Sequence, residues 1–268
     1  MLKLENISKI FAEGSPDENR ALKNINLEIH EEDFVTVIGS NGAGKSTLYN
    51  VIAGTMKATS GIVSLKTKNG IKNITEDKEH IRAHYIGRIF QNPLLGTAGK
   101  MSLEDNMVIC SKKGYKGLKK SLNNKTRDYF RSQLEILGMG LENRLKDNVE
   151  LFSGGQRQAL TLLMTLMSKP SLLLLDEHTA ALDPHMAQLV MDLTKKFASD
   201  DKLTVMMITH NMNHALSYGN RLLMMDGGEI VLDIDAEEKA KLSMAEIISQ
   251  FKAIKKKEIV NDQMLLSL

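Results

Sequence analysis

Residues 39–46 read GSNGAGKS, and this glycine-rich segment constrains the fold of the chain more than any other feature of its sequence. It matches the pattern G-x-x-x-x-G-K-[ST] in full, between the apolar run 34–38 and a stretch with helical spacing. A strand, a glycine loop and a helix are the arrangement in which backbone N–H groups wrap phosphates. The segment therefore predicts a nucleoside triphosphate site on a parallel α/β core.

Two side chains of this segment have specific predicted roles. Lys45 is expected to reach the outer phosphates, and the Ser46 hydroxyl is expected to ligate Mg²⁺. The N-terminus of the following helix adds positive potential. The residues predicted to bind the nucleotide here are Gly39, Ser40, Asn41, Gly42, Ala43, Gly44, Lys45, Ser46 and Thr47.

Two acids follow the apolar run 172–175, which has the pattern of a strand covered on both faces. A carboxylate at the carboxyl end of such a strand can hold Mg²⁺ directly or through water, so Asp176 is a predicted metal ligand. Glu177 points differently and is free to act as the general base for an attacking water. Without a phosphate loop in the chain, the same two acids would fit a simple strand cap.

A second glycine pair lies in residues 152–156, which read FSGGQ. Ser153 and Gln156 have the spacing of a capping box, and apolar residues continue on one helical face up to Pro170. The segment fits a well-capped core helix. A capped helix start with two unhindered glycines also fits an anion site, and the residues alone leave both interpretations open.

The order of these motifs resembles that of ABC-family nucleotide-binding domains over essentially residues 1–235. FSGGQ is similar to the family signature LSGGQ, which in the family contacts the γ-phosphate held by the opposite subunit. Further positions that match the family are Phe11 (adenine stacking), Gln91 (Q-loop), Asp183 (D-loop) and His210 (switch histidine). Taken alone, Phe11 also fits a core position and His210 a structural residue.

The resemblance implies an ATPase that uses ATP and Mg²⁺. Its implied catalytic residues are Glu177, His210, Gln91 and Asp183, and its implied metal ligands are Ser46, Gln91 and Asp176. It also implies a homodimer in which ATP on one phosphate loop is clamped by Ser153, Gly154, Gly155 and Gln156 of the other chain. Such a dimer drives transmembrane permease subunits carried on separate chains.

Residues 176–184, which read DEHTAALDP, are similar to those of a narrower group of bacterial import ATPases. The group works with a permease and a solute-binding lipoprotein, and tryptophan or tyrosine uptake is the role often suggested for it. Two positions depart from the wider family pattern. Phe152 replaces a leucine and conserves its bulk, whereas His178 replaces the proline after the catalytic glutamate. Losing proline frees φ, so the loop after Glu177 is expected to be less rigid.

Composition narrows the function class. The 35 Lys and Arg residues against 33 Asp and Glu leave a net charge of only +2, which argues against nucleic acid as a partner. A lone cysteine, Cys110, and the lack of a signal-like start indicate a cytoplasmic protein. No apolar stretch is long enough to span a membrane, so a place on the inner face of the cell membrane would depend on the permease.

Pattern changes along the chain suggest its organisation. Residues 1–235 are predicted to form the nucleotide-binding domain, with an antiparallel β region near the N-terminus and a helical subdomain inserted at about 92–155. Residues 236–268 are predicted to form a polar helical tail. The basic stretches 112–120 and 255–257 fit solvated segments, or contacts with anionic lipid headgroups.

Two alternative functions remain compatible with these motifs. A single-domain ABC ATPase of the cofactor-assembly type would carry the same nucleotide-binding residues without a permease. An exporter subunit is the other alternative. Exporters of the family often carry a TEVGERG-like segment before the signature, and the different residues at 144–150 favour import.

Overall fold

The computed structural model describes residues 1–67, 69–111, 121–241, 243, 245–247 and 249–250. The basic stretches 112–120 and 255–257, and with them the predictions made for both, lie outside these ranges. Across the described residues, no helix combines the length and the apolar character that crossing a membrane requires.

Within the described residues, ten strands form two sheets. The strands are β1 (Leu2–Phe11), β2 (Asn19–Ile29), β3 (Phe34–Gly39), β4 (Ser60–Thr67), β5 (Gly70–Asn73), β6 (Ile86–Ile89), β7 (Leu172–Asp176), β8 (Thr204–Ile208), β9 (Arg221–Asp226) and β10 (Glu229–Ile234). One sheet is antiparallel, in the order β2-β1-β4-β5, and the other runs β10-β9-β3-β8-β7-β6. The predicted α/β core with an N-terminal antiparallel region is confirmed.

The second sheet is parallel at its centre. Strand β3 pairs in parallel with β8 and β9, and β7 pairs in parallel with β6 and β8. All five residues of β8 are buried, as are the first five of β3, because helices pack on one face of the sheet and a helix together with the antiparallel sheet packs on the other. The carboxyl ends of β3, β7 and β8 therefore meet at one edge, from which the loops that carry the predicted site depart.

The described helices are α1 (Lys45–Ala53), α2 (Glu79–Arg82), α3 (Leu103–Ser111), α4 (Asn124–Glu135), α5 (Gly154–Met167), α6 (Pro184–Asp200), α7 (Met212–Ser217) and α8 (Ala236–Lys241). Between β6 and α5, the described chain forms only helices, 3-10 turns and one isolated bridge, Ser102 to Asn148. Helices α3 and α4 are joined by a bidentate ion pair, in which Arg127 Nε and Nη2 lie 2.7 and 3.1 Å from the Glu104 carboxylate. The predicted domain boundaries stay a prediction.

Strands β9 and β10 form an antiparallel hairpin that turns at Gly227 and Gly228. Beyond it, the described part of the predicted tail packs on the core. Lys239 Nζ donates to the carbonyl oxygens of Tyr218 and Gly219, at 2.6 and 3.0 Å. Ile247 is fully buried in an apolar cluster with residues of β3, α7, β9 and β10.

Candidate nucleotide site

The phosphate loop leaves β3 at Gly39 and enters α1 at Lys45. Gly44 has φ 97°, and a Cβ at this position would lie 2.5 Å from the Ala21 carbonyl oxygen, so only glycine fits there. Lys45 Nζ turns back on the loop and donates to the carbonyl oxygens of Gly39 and Ser40, each at 2.9 Å. The backbone N–H groups at the start of α1 therefore lie beside the buried ammonium group of Lys45.

Burial lowers the pKa of Lys45, while the negative charges of Glu177 and Asp176 act in the opposite direction. The two acids that follow β7 are therefore close enough to the loop lysine to influence its charge.

A cavity of about 610 Å³ opens in front of the loop, a size within the usual range for small-molecule sites. Of the predicted residues, it is lined by Phe11, Asn41, Gly42, Ala43, Gly44, Lys45, Ser46, Thr47, Glu177 and His210. The structure thus brings together residues from β1, the phosphate loop and the loops after β7 and β8.

Six lining residues were missed by the sequence analysis: Glu18, Asn19, Arg20, Ala21, Lys23 and Gly227. The register of the first hairpin explains most of them, because Phe11 pairs with Asn19 and Ile10 with Arg20. Gly227 arrives with the β9–β10 hairpin, whose Gly228 N–H donates to Ala43 O at 3.2 Å. Residues 12–17 form the turn between β1 and β2. A predicted pairing of these two strands across the turn would have identified the residues next to Phe11.

Phe11 lies at the rim of this cavity and is 37% exposed, so it is not a core residue. Lys9 Nζ lies 5.2 Å from the centre of its ring. An exposed aromatic face beside a phosphate loop can stack on a nucleotide base. The geometry fits the adenine-stacking role that the family resemblance implies.

Glu177 and His210 meet at the edge of the cavity, with Glu177 Oε1 2.5 Å from His210 Nε2. Glu177 has φ 48°, a left-handed conformation that is disfavoured for a residue with a side chain. Its N–H donates to Ile208 O at 3.1 Å, which fixes this backbone against the end of β8. A carboxylate at the cavity wall with an imidazole partner can accept a proton from a water.

Asp176 ends β7, with its side chain mostly buried. Arg88 Nη2 lies 3.5 Å from its Oδ2, and the same guanidinium lies over the Phe90 ring at 4.6 Å. A carboxylate here and the Ser46 hydroxyl in the cavity wall supply the hard oxygen ligands that Mg²⁺ prefers. The types of donor present therefore suit the predicted ion, but of the three predicted ligands only Ser46 lines the cavity, and Asp176 and Gln91 do not.

Other predicted residues lie outside this cavity. Gln91 is exposed after β6, and Asp183 caps α6 by accepting a hydrogen bond from Met186 N at 3.1 Å. Gly39 and Ser40 line a smaller neighbouring cavity that also contacts His210. The structure does not bring Gln91 or Asp183 to the nucleotide cavity of their own chain.

The FSGGQ segment also lies away from the cavity. Ser153 Oγ accepts from Gln156 N at 3.2 Å, and Ser153 N donates to Gln156 Oε1 at 3.1 Å, which is the predicted capping box. Ser153 is exposed, Gly154 is half-buried, and Gly155 is buried against Met186. Within one chain, the segment is a capped start of α5 that leaves Ser153 open to solvent.

Comparisons with known proteins agree with this geometry. A family model described as ABC transporter matches residues 22–180. The tyrosine transport ATP-binding protein of Clostridioides difficile is 41% identical over 252 residues, covering 94% of this chain and 98% of that protein. A phosphonates import ATP-binding protein of a Ruegeria species is 32% identical, covering 87% of this chain and 88% of that protein.

Among solved structures, the fold matches a dimeric ATP-binding cassette in a post-hydrolysis state, bound to ADP and Pi. The TM-score is 0.72 at 28% identity, and the match covers 88% of this chain and 99% of that one. The similarity therefore spans the whole length of a cassette whose nucleotide-bound form is a dimer.

Proposed function

The chain belongs to the ABC transporter family as an ATP-binding, ATP-hydrolysing subunit, and from this premise we propose that it powers the import of an aromatic amino acid. In the proposed system, ATP closes a homodimer of this chain, and the closing motion drives a permease on separate chains. The chain lies on the inner, cytoplasmic face of the cell membrane, and a solute-binding lipoprotein delivers the solute.

The ATP-driven dimer in this proposal is supported by the separation of the site into two halves. The phosphate loop, Glu177 and His210 share one cavity, whereas the exposed Ser153 lies outside it. A capped helix start that lies away from the phosphate loop of its own chain suits a phosphate held by another copy. ATP bound between two copies would then stabilise the closed dimer over the open one by the contacts made only in the closed state.

The chemistry assigned to this site follows from its side chains. Lys45 would leave the loop carbonyls to bind the outer phosphates, and Glu177 would accept the proton of the attacking water. Mg²⁺, held by Ser46 and Asp176, would neutralise charge on the phosphates. His210 would hold the Glu177 carboxylate by the contact already present between them.

Coupling to the permease is assigned to the surface that follows Gln91. Leu94 and Leu95 are 51% and 66% exposed, and Met101 is 39% exposed. Large apolar side chains that are exposed favour a contact with another protein. We assign these residues to a contact with a short cytoplasmic helix of the permease, and Gln91 shortly precedes them in sequence.

The Gln91→Ala variant should impair transport more than ATP binding, because the phosphate loop and Lys45 stay in place while the link to the permease is removed. The measurement is solute uptake and ATP binding by the complete transporter in proteoliposomes. Gln250→Ala, the same exchange at an exposed glutamine near the C-terminus, is the control and should match the wild type. Parallel losses of ATP binding and uptake would contradict a coupling role for Gln91.

The solute rests on similarity. The Clostridioides difficile relative is described as a tyrosine transport protein, whereas the Ruegeria relative is described as a phosphonates import protein. In the proposed arrangement, an ATP-binding subunit does not itself contact the solute, so its own residues do not identify the solute. The choice therefore follows similarity, and the higher identity and fuller coverage of the tyrosine relative favour an aromatic amino acid.

Deleting the gene should abolish most uptake of labelled tyrosine or tryptophan in the host under limiting supply. The wild-type gene on a plasmid should restore uptake, and the Glu177→Gln variant should not. Unchanged uptake of both amino acids would remove this solute and leave the transporter. A chain that purifies from native membranes and lysate without any permease would instead favour the cofactor-assembly alternative, and export of the solute would favour the exporter alternative.

A further inference from the structure

His178 is the residue that departs from the family pattern directly after Glu177. The free φ at this position led to the expectation of a less rigid loop. In the structure, His178 is only 2% exposed, and it does not line the nucleotide cavity. Its ring is packed inside the protein, so the loop has a constraint of a different kind from proline.

The ring of His178 has a hydrogen-bond partner on another element. Its Nε2 lies 3.3 Å from Thr194 Oγ1 in α6, and the Thr194 hydroxyl donates its hydrogen to Val190 O at 2.8 Å. A hydroxyl has one hydrogen, so Thr194 accepts from His178, and this assigns the hydrogen of the imidazole to Nε2. Burial, with a smaller effect of nearby His214, lowers the pKa of His178 to about 3, which keeps the ring neutral.

The residue before His178, Glu177, has a backbone conformation that is unfavourable unless its surroundings hold it. Glu177 is held at φ 48°, with its N–H bonded to Ile208 O and its C=O accepting from Ala180 N at 2.9 Å. A side-chain-bearing residue stays in this conformation only where its surroundings fix it. The first side chain after it is the buried imidazole, which ties the loop to the middle of α6.

We propose that His178 is a positioning residue, whose hydrogen bond to Thr194 anchors the loop to α6 and so holds the Glu177 carboxylate against His210 at the cavity wall. This inference rests on the proposed function, because it takes Glu177 as the base. Asp183, which is assigned to the D-loop by resemblance, caps the start of α6. The hydrogen bond from His178 to Thr194 therefore also connects the Glu177 loop to the helix that begins at the D-loop.

A matched pair of substitutions at Thr194 isolates the hydrogen bond. Thr194→Val keeps the side-chain shape and removes the hydroxyl, whereas Thr194→Ser keeps the hydroxyl and removes a methyl group. We expect Thr194→Val to lower kcat about tenfold with nearly unchanged KM for ATP, because the carboxylate is misplaced while binding is intact. Thr194→Ser should retain the wild-type kcat.

A double-mutant cycle tests whether Thr194 acts through the imidazole. In a His178→Leu background, Thr194→Val should cause no further loss of kcat, because the bond is already absent. His178→Gln, whose side-chain N–H can reach the same acceptor, should recover activity relative to His178→Leu. Melting temperatures identify any variant that fails to fold, and the Thr194 pair decides the matter without the His178 variants.

Equal effects of Thr194→Val and Thr194→Ser on kcat, or a change in KM alone, would overturn the proposed anchor. So would independent, additive effects in the cycle. Glu177→Gln separates this failure from that of the proposed function. If Glu177→Gln is inactive and Thr194→Val is normal, only the anchor is wrong, whereas wild-type turnover by Glu177→Gln would overturn both.

Discussion

The Glu177→Gln variant is expected to bind ATP as the wild type does and to hydrolyse it slower by a factor of about 10² or more. A glutamine side chain keeps the shape of glutamate and can still bond His210, but it cannot take the proton of the attacking water. ATP should therefore persist between two chains. We expect this variant to accumulate as an ATP-bound dimer.

Phosphate release, binding of a fluorescent ATP analogue and size-exclusion chromatography with ATP measure the three parts of this result. Glu135→Gln makes the same chemical change at an exposed position of α4 and should leave all three unchanged. Turnover near that of the wild type in Glu177→Gln would contradict the assignment of Glu177 as the base. Loss of ATP binding would show instead that the carboxylate supports the nucleotide and not only the chemistry.

The phosphate loop and the central strands could be predicted because their signals are local. The glycines at 39–44 follow one another in sequence, and a strand covered on both faces requires a continuous apolar run such as 172–175. The position of Asp176 and Glu177 at the edge of the sheet could be predicted as well, since parallel strands present their carboxyl ends at one edge of a sheet. Local pattern and tertiary arrangement agree at these positions.

Contacts between distant segments could not be predicted in this way. The ion pair between Arg88 and Asp176 joins two parallel strands 88 positions apart in sequence. The hydrogen bond between His178 and Thr194 depends on how the short loop after Glu177 packs against α6. The sequence of the loop predicted a less rigid backbone because it lacks the proline, whereas the packed histidine side chain constrains that backbone. Arg20 enters the cavity through a hairpin register that the irregular pairing of β1 with β2 sets.

A site shared between two chains makes a prediction that no single-chain site makes. In a dimer of one Lys45→Ala chain and one Ser153→Arg chain, one composite site has both halves damaged, and the other has an intact phosphate loop opposite an intact signature. Each homodimer, in contrast, has a damaged half in both sites. The mixed dimer should therefore form with ATP more readily than either homodimer.

The experiment is cleanest with Glu177→Gln present in both chains, so that ATP is not consumed, and with two affinity tags that report mixed and uniform dimers after crosslinking. Ser153→Arg also removes the cap of α5, which typically costs about 1 kcal/mol of stability. Asn123→Arg removes the cap of α4 in the same manner and is the matched control, because Asn123 is an exposed cap with no predicted role at the nucleotide. Paired with Lys45→Ala, Asn123→Arg should behave as an unmodified chain does.

The result is decisive because capping and phosphate binding make different demands on Ser153. If Ser153 only caps α5, its loss lowers the stability of its own chain, and the amount of dimer trapped does not depend on which variant is the partner. If it binds the phosphate held by the other chain, damage at Ser153 and at Lys45 is harmful in separate sites and tolerated when it falls in the same site. Equal trapping of the mixed dimer and both homodimers would therefore reduce FSGGQ to a helix cap, and preferential trapping of the mixed dimer requires a signature that acts across the interface.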